Sequence, residues 1–326
     1  MMSSAARAVA RWIAPFLTVA AVAGFGLVAD PAIRLVSNDN PLAGKPLYVD
    51  PASKAMRAAQ GANPPSPELT AIANTPHAYW MDQASNPGVD AKYIAAAQAA
   101  GAVPVLALYG IPHRDCGSFA SGGFGSAASY RGWIDGVASA IGTGPAAVIL
   151  EPDALAMADC LPADQRQERF ELIHYAVDTL TRNPAAAVYV DAGHSRWINA
   201  DEMASRLNQV GVAKARGFSL NTANFFSTDE EIGYGEAISG LTNGSNYVID
   251  TSRNGAGPAG GELYWCNPTG RALGTPPTTA TAGAHADAYL WIKRPGESDG
   301  SCGRGEPRAG TFVSQYAIDL ARNAGH

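Results

Sequence analysis

The chain has 326 residues, 47% of them hydrophobic and 16% charged, with 29 acidic against 23 basic side chains. That length and apolar content supply one barrel-sized core or two smaller ones, and they exclude a disordered chain. The mildly acidic balance and the lack of any Lys/Arg run or basic stripe exclude a nucleic-acid partner held through phosphates.

In chain order, Arg7 and Arg11 precede an uncharged run from Ile13 to Ala29 rich in Ala, Val, Leu and Phe. This reads as an export signal, with Ala21-Val22-Ala23 as a small-residue cleavage pattern. The run is also near the shortest length that spans a bilayer, so residues 1–40 are expected to be a signal peptide or an uncleaved membrane anchor with a short linker. The folded part is expected outside the cytoplasm, secreted or held at the outer face of the membrane. All four cysteines, Cys116, Cys160, Cys266 and Cys302, lie in that part without a Cys-x-x-Cys pair, which fits disulfides better than zinc. Of three connectivities, pairing neighbours in sequence is favoured, Cys116 with Cys160 and Cys266 with Cys302, each loop closure contributing roughly 4 kcal/mol in the chain-entropy picture.

Seven short apolar runs follow: Ala78 to Met81, Val103 to Tyr109, Ala147 to Leu150, Ala187 to Val190, Gly217 to Leu220, Tyr247 to Ile249 and Ala288 to Ile292. They read as buried strands. Between them, helical patterns cover Lys92 to Ala100, Ser129 to Ile141, Gln165 to Thr181, Asp201 to Val210 and Asp229 to Ser239, with Asp201 and Asp229 expected as N-caps and Gly101, Gly142 and Gly211 as stops. Alternation of this kind predicts a parallel α/β sheet in a single domain over 41–326, with no linker or internal repeat marking off a second module.

Each apolar run stops at a polar residue: Asp82, Tyr109, the Glu151/Asp153 pair, Asp191, Asn221, Asp250 and Lys293. One such residue is as readily a helix cap or a turn opener. Seven in register on a parallel barrel would meet on one face and form a site. The chemistry they suggest is carboxylate work. There is no P-loop, and the six histidines lack zinc spacing, so no cofactor and no metal are expected. Trp80, Trp197 and Trp265 stand near the strand ends or a Gly-rich loop, where indole faces could stack on sugar rings as readily as they pack.

Five segments carry a resemblance: Tyr109-Gly-Ile-Pro-His-Arg-Asp115-Cys116, Glu151-Pro-Asp153, Asp191-Ala-Gly-His194, Asp250-Thr-Ser-Arg-Asn-Gly255 and Trp291-Ile-Lys293-Arg-Pro-Gly-Glu297-Ser-Asp299-Gly. Together, and in this order, they closely resemble glycoside hydrolase family 6, the inverting cellulases, from about residue 45 to the C-terminus. The resemblance implies a distorted, TIM-like (β/α) barrel of seven parallel strands acting on a β-1,4-glucan. It implies Asp153 as general acid, Asp115 as the carboxylate that raises its pKa and organises water, and Tyr109 as the group pressing on the reacting sugar. The base is implied either at Asp299 or, ranked slightly ahead, in a relay through Asp115 and Ser121 with Asp299 paired to basic neighbours. The Gly117 to Ser126 stretch, glycine-rich and short of anchors, is expected to be a mobile lid. Trp80, Trp197 and Trp265 are implied as platforms, and Asp191, His194, Asn221, Lys293 and Glu297 as hydroxyl-binding groups. Asp82 and Arg114 join them from the strand-end pattern and the first motif, and Lys293 with Glu297 could equally be a structural ion pair. The bridge at Cys116 and Cys160 would tether the two catalytic loops. Shorter loops between Cys266 and Cys302 favour endo action; an exo-acting cellobiohydrolase and a non-catalytic glycan-binding protein are the alternatives, and a monomer is expected.

Overall fold

Short runs of Val, Ile, Leu and Ala cannot bury both faces of a strand unless other layers cover them, and here they do so around a curled sheet. In the computed structural model, which describes residues 40–325, seven strands lie in sequence order and every neighbouring pair is parallel. They are β1 (Tyr79–Met81), β2 (Val105–Leu108), β3 (Ala146–Leu150), β4 (Ala186–Asp191), β5 (Gly217–Leu220), β6 (Asn246–Asp250) and β7 (Ala286–Leu290). The expected export segment lies outside the described residues except for Asn40. Among the described residues no helix is long and apolar enough to cross a membrane.

Strand side chains alternate between two cores, as a period of two requires. Val105, Ala107, Ala147, Ile149, Ala187, Tyr189, Val248, Ala288 and Leu290 form an inner cluster that Leu42 joins. Leu106, Leu108, Val148, Leu150, Val188, Val190, Phe218 and Leu220 point outward onto Ile94, Ile134, Ile173, Leu207 and Ile238 of the surrounding helices. The barrel is open between its first and last strands. They are joined by one backbone bond, Ala78 N to Trp291 O at 2.9 Å, and by the Trp80 indole donating to Ile292 O at 2.8 Å. The outer edge of β7 is met instead by Thr278, which exchanges two backbone bonds with Tyr289.

The last strand begins two residues before the apolar run because Asp287 is tolerated inside. It accepts from Arg216 at 2.7 and 2.8 Å and from the Tyr189 hydroxyl at 2.7 Å. The helices between strands are α3 (Pro87–Ala99), α4 (Ala127–Ile141), α5 (Ala163–Leu180), α6 (Ala200–Gln209) and α7 (Thr228–Leu241). Asn199 and Ser227, rather than Asp201 and Asp229, supply the N-caps, each accepting from an amide three residues on; the two aspartates sit in the first turn, where the helix dipole favours negative charge. The expected stops hold: Gly142 is the cap of α4, and Gly101 and Gly211 follow the last residues of α3 and α6, all with positive φ. Three helices have no counterpart in the sequence expectation, α1 (Lys54–Gly61), α2 (Pro67–Ala73) and α8 (Ser314–Asn323), which pack together over Trp291.

Candidate active site

The C-terminal ends of the strands share a backbone signature. Among the described residues, ten non-glycine residues have positive φ, and His113, Asp115, Cys116, Glu151, Asp153, Asn221 and Ala223 all follow the ends of β2, β3 or β5. Left-handed backbone at residues with a Cβ persists only where surrounding contacts hold it, and such residues concentrate at functional sites.

Asp153 follows β3 by three residues in a partly buried position. Its backbone amide donates to Asp191 Oδ1 at 3.0 Å. Burial pushes its carboxyl well above the usual carboxylate range, the like charges of Asp191 and Asp115 push it further, and Lys293 and the Tyr109 hydroxyl oppose the rise without cancelling it. Asp115 is also raised by burial, although its carboxylate accepts the Ala120 amide at 2.6 Å. Tyr109 stands at the end of β2, its ring set edge-on to Trp80 at 5.4 Å, with the Arg114 guanidinium over it at 4.4 Å.

Arg114 binds three segments together. It donates to the carbonyls of Tyr109 at 2.6 Å and Ala120 at 2.9 Å, to Gln83 Oε1 at 3.0 Å, and lies 3.4 Å from the Asp82 carboxylate. Its side chain is so committed that the residue is only 7% exposed. Ser121 is exposed in the adjoining loop, where its amide donates to Ser118 O at 3.1 Å. At the tip of that loop Phe119, 42% exposed, packs 6.1 Å from the ring of Trp265, and a Cβ on Gly300 would come within 2.7 Å of it. The loop expected as a lid therefore lies against Trp265 and Gly300, at the two ends of the stretch that the second disulfide closes. Both disulfides have the expected pairing, Cys116 with Cys160 and Cys266 with Cys302, at Cα–Cα distances of 6.3 and 6.4 Å.

Several strand-end residues are buried, with their polar atoms bound within the protein. Asn221 is fully buried, its amide donating to the carbonyls of Phe226 and Asp250 and its oxygen accepting from Phe226 N. Asp191, 1% exposed, accepts from the amides of Asp153 and Gly193 and from the Ser219 hydroxyl, and burial raises its carboxyl to about 6. Asp250 takes the amides of Ala223, Ser252, Ile292 and Lys293, drawing the ends of the last three strands together. Glu297 is buried and ion-paired to Arg294 at 2.8 Å and Lys54 at 3.1 Å, so it does not pair with Lys293. Lys293 is bound to Asp299 instead, at 2.9 Å, and the fully buried Arg253 takes the other oxygen of Asp299 at 2.8 Å. Despite burial, these two cations hold the Asp299 carboxyl below the usual range.

On the side formed by the end of β4, the His194 ring stacks on Phe226 at 4.3 Å and meets Trp197 at 5.3 Å and Tyr264 Oη at 3.4 Å. Burial lowers the imidazole to about 4, leaving it neutral near pH 7. His194 is 2% exposed, whereas Trp197 is 38% exposed. Gln83, Phe119, Phe226, Arg253 and Tyr264 were not singled out from sequence. An apolar or amide side chain in a loop carries no signal beyond its neighbours, although Arg253 lies within the Asp250 segment.

The family model of glycosyl hydrolases family 6 matches residues 41–324. A solved structure of the endoglucanase Cel6 from Mycobacterium tuberculosis, in complex with methyl-cellobiosyl-4-deoxy-4-thio-beta-D-cellobioside, is 76% identical with a TM-score of 0.87, covering 88% of this chain and all of that one. Endoglucanase A of Cellulomonas fimi is 46% identical over 283 residues, 85% of this chain and 61% of the relative's length. A protein of Aspergillus niger named probable 1,4-beta-D-glucan cellobiohydrolase C is 31% identical over 370 residues, 91% of this chain and 80% of its own. The chain thus spans 61% of the length of the Cellulomonas relative. By this match over nearly all the described residues, the chain belongs to glycosyl hydrolases family 6.

Proposed function

We propose that this protein is an exported β-1,4-glucanase that cleaves internal bonds of cellulose or a related β-glucan by single displacement, inverting the anomeric carbon. The observation that carries the reading is the environment of Asp153: burial, Asp191 and Asp115 all favour its protonated form, which a general acid needs at neutral pH. Asp153 protonates the leaving glycosidic oxygen while water attacks from the opposite face of the ring. Tyr109 and Trp80 press on the reacting sugar, and Trp197 and Trp265 serve as platforms on either side.

For the attacking water we favour the relay through Asp115 and Ser121 over direct attack from Asp299. Asp299 holds two cations, which stabilise its charge and make it a poor proton acceptor. Asp115 accepts the amide of Ala120, next to Ser121, and has the basicity that burial gives it. Lys293 faces both Asp153 and Asp299 and has a direct role in placing charge within the site. Endo action is favoured by loop length: the alignment with the cellobiohydrolase runs over 370 positions against 326 in the whole chain, so that relative carries insertions this chain lacks. The Arg7 to Ala29 pattern supports export.

The test is the anomer released first from a soluble β-1,4-glucan, read by NMR, together with product sizes on carboxymethylcellulose over time. Initial α product and an early fall in viscosity are expected. Initial β product contradicts inversion, and early release of short products at unchanged viscosity contradicts internal cutting.

A further inference from the structure

The backbone between Tyr109 and Asp115 is gripped by two buried side chains of opposite charge, and neither belongs to the reacting groups. Glu151, the first residue after β3, is 1% exposed. Its carboxylate accepts the Gly110 amide at 3.1 and 3.0 Å and the Ile111 amide at 3.0 Å. Arg169, from α5 and 2% exposed, donates to the carbonyls of Pro112 at 3.3 Å and His113 at 2.8 Å, and with its other terminal nitrogen to Ala154 O at 3.1 Å. Of four consecutive residues, the first two thus have their amides on the acid and the next two their carbonyls on the base. The last gripped residue, His113, and then Asp115 and Cys116 beyond it all have positive φ.

We infer that Glu151 and Arg169 are positioning residues that fix Tyr109 and Asp115 against Asp153. The chain connectivity makes the coupling direct. Glu151 is separated from Asp153 by Pro152 alone, and Arg169 holds Ala154 on the other side of it, so the acid's own turn is one jaw of the clamp. Tyr109 precedes the gripped residues and Asp115 follows them by one residue. The Cys116–Cys160 bridge closes the same gap farther out. A rigid separation matters because inversion needs a fixed space for water, and small displacements of reacting groups lower the rate steeply. The inference rests on the hydrolase reading above for its catalytic meaning, but not for the clamp itself.

The test compares Glu151→Ala, Glu151→Gln and Arg169→Lys with the parent enzyme on a soluble cello-oligosaccharide, and follows hydrogen exchange in the peptide spanning 109–113. Gln keeps an acceptor for the two amides and removes the charge, whereas Ala removes both. Expected are a fall in kcat of about tenfold or more in Glu151→Ala with KM changed less than about twofold, near-parent kcat in Glu151→Gln, and faster exchange in Glu151→Ala. Arg169→Lys, unable to span all three carbonyls, should lose kcat by several fold and also exchange faster. The pH profile separates position from charge. The alkaline limb reports Asp153, which faces Asp191, Asp115, Lys293 and Tyr109, while Glu151 faces Arg114, Arg169, Tyr109 and Tyr130. It should move in Glu151→Ala and stay in Glu151→Gln. Equal movement in both would overturn positioning in favour of a charge effect, and unchanged kcat and exchange in Arg169→Lys would overturn the clamp. Should Glu151→Ala not fold, the Gln and Lys variants decide alone. A parent enzyme silent on every β-1,4-glucan sinks the hydrolase reading, while the exchange rates still decide the clamp.

Discussion

Asp153 rests its backbone amide on Oδ1 of Asp191 at 3.0 Å, so the two carboxylates share one buried region, and the negative charge of one disfavours that of the other. Asp191 is held by three donors. The more strongly bound carboxylate carries the negative charge first, which leaves the proton on Asp153.

This relationship makes Asp191→Asn informative. The amide oxygen can still accept from the backbone of Asp153 and Gly193, and the NH2 can donate to Ser219, so the fold should survive. With the like charge gone, Asp153 should ionise at lower pH, and the alkaline limb of kcat/KM should move down by roughly half a pH unit or more. An unmoved limb in a folded variant would show that Asp191 does not act on the acid.

Holding Asp153 in a site that disfavours its charge should lower stability at neutral pH. Its folded pKa lies above the unfolded value, so its contribution is most favourable below about pH 4, near the unfolded pKa, and is lost as pH rises toward the folded one. Asp153→Asn, which never ionises, should melt about 2 °C or more above the parent at pH 8, with the difference shrinking as pH approaches 4. A constant difference across that range would mean that desolvation of the charge is not the cause.

The path of the sheet was legible because parallel strands covered on both faces need continuous apolar runs, and those runs are visible in the sequence. Two kinds of feature were not. β7 starts at Ala286 with Asp287 inside the barrel, a position only Arg216 and Tyr189, distant in sequence, make tolerable. α1, α2 and α8 are ten residues or fewer and owe their stability to one another and to Trp291, which local periodicity does not reveal. The polar strand ends lie together at the C-terminal edge of the parallel sheet, as the alternation of strands and helices implied. Their pattern did not separate Asn221 and Asp250, whose polar atoms serve the backbone, from Asp153, since both kinds of residue end a strand in the same way. That distinction depends on hydrogen-bond partners brought in by other loops.

The contact between Phe119 and Trp265 sets the 117–126 loop beside Cys266, which is bridged to Cys302. Phe119→Ala removes an exposed side chain and should change stability by less than about 0.5 kcal/mol. It should raise KM for long glucans about threefold or more while leaving small substrates little affected, as expected for a side chain that closes over a chain spanning the cleft. Equal effects on short and long substrates would assign Phe119 to local loop order.

The Cys116–Cys160 bridge joins the segment beginning at Asp115 to the turn after Asp153. Replacing both cysteines by Ser should cost about 2–4 kcal/mol of stability. At a temperature where the variant remains folded, kcat should also fall, more than for the matching replacement at Cys266 and Cys302. Equal kcat losses in the two variants would reduce the bridge to stabilisation alone.

The proposed role of Asp153 as proton donor is tested most directly by changing what leaves. Asp153→Ala should lose hydrolysis of cellotetraose by about a thousandfold or more, because a sugar hydroxyl must be protonated as it departs. A cellobioside whose leaving group is a dinitrophenolate needs no proton, and the same variant should retain most of the parent's rate on it. Equal losses on both substrates would contradict Asp153 as the general acid.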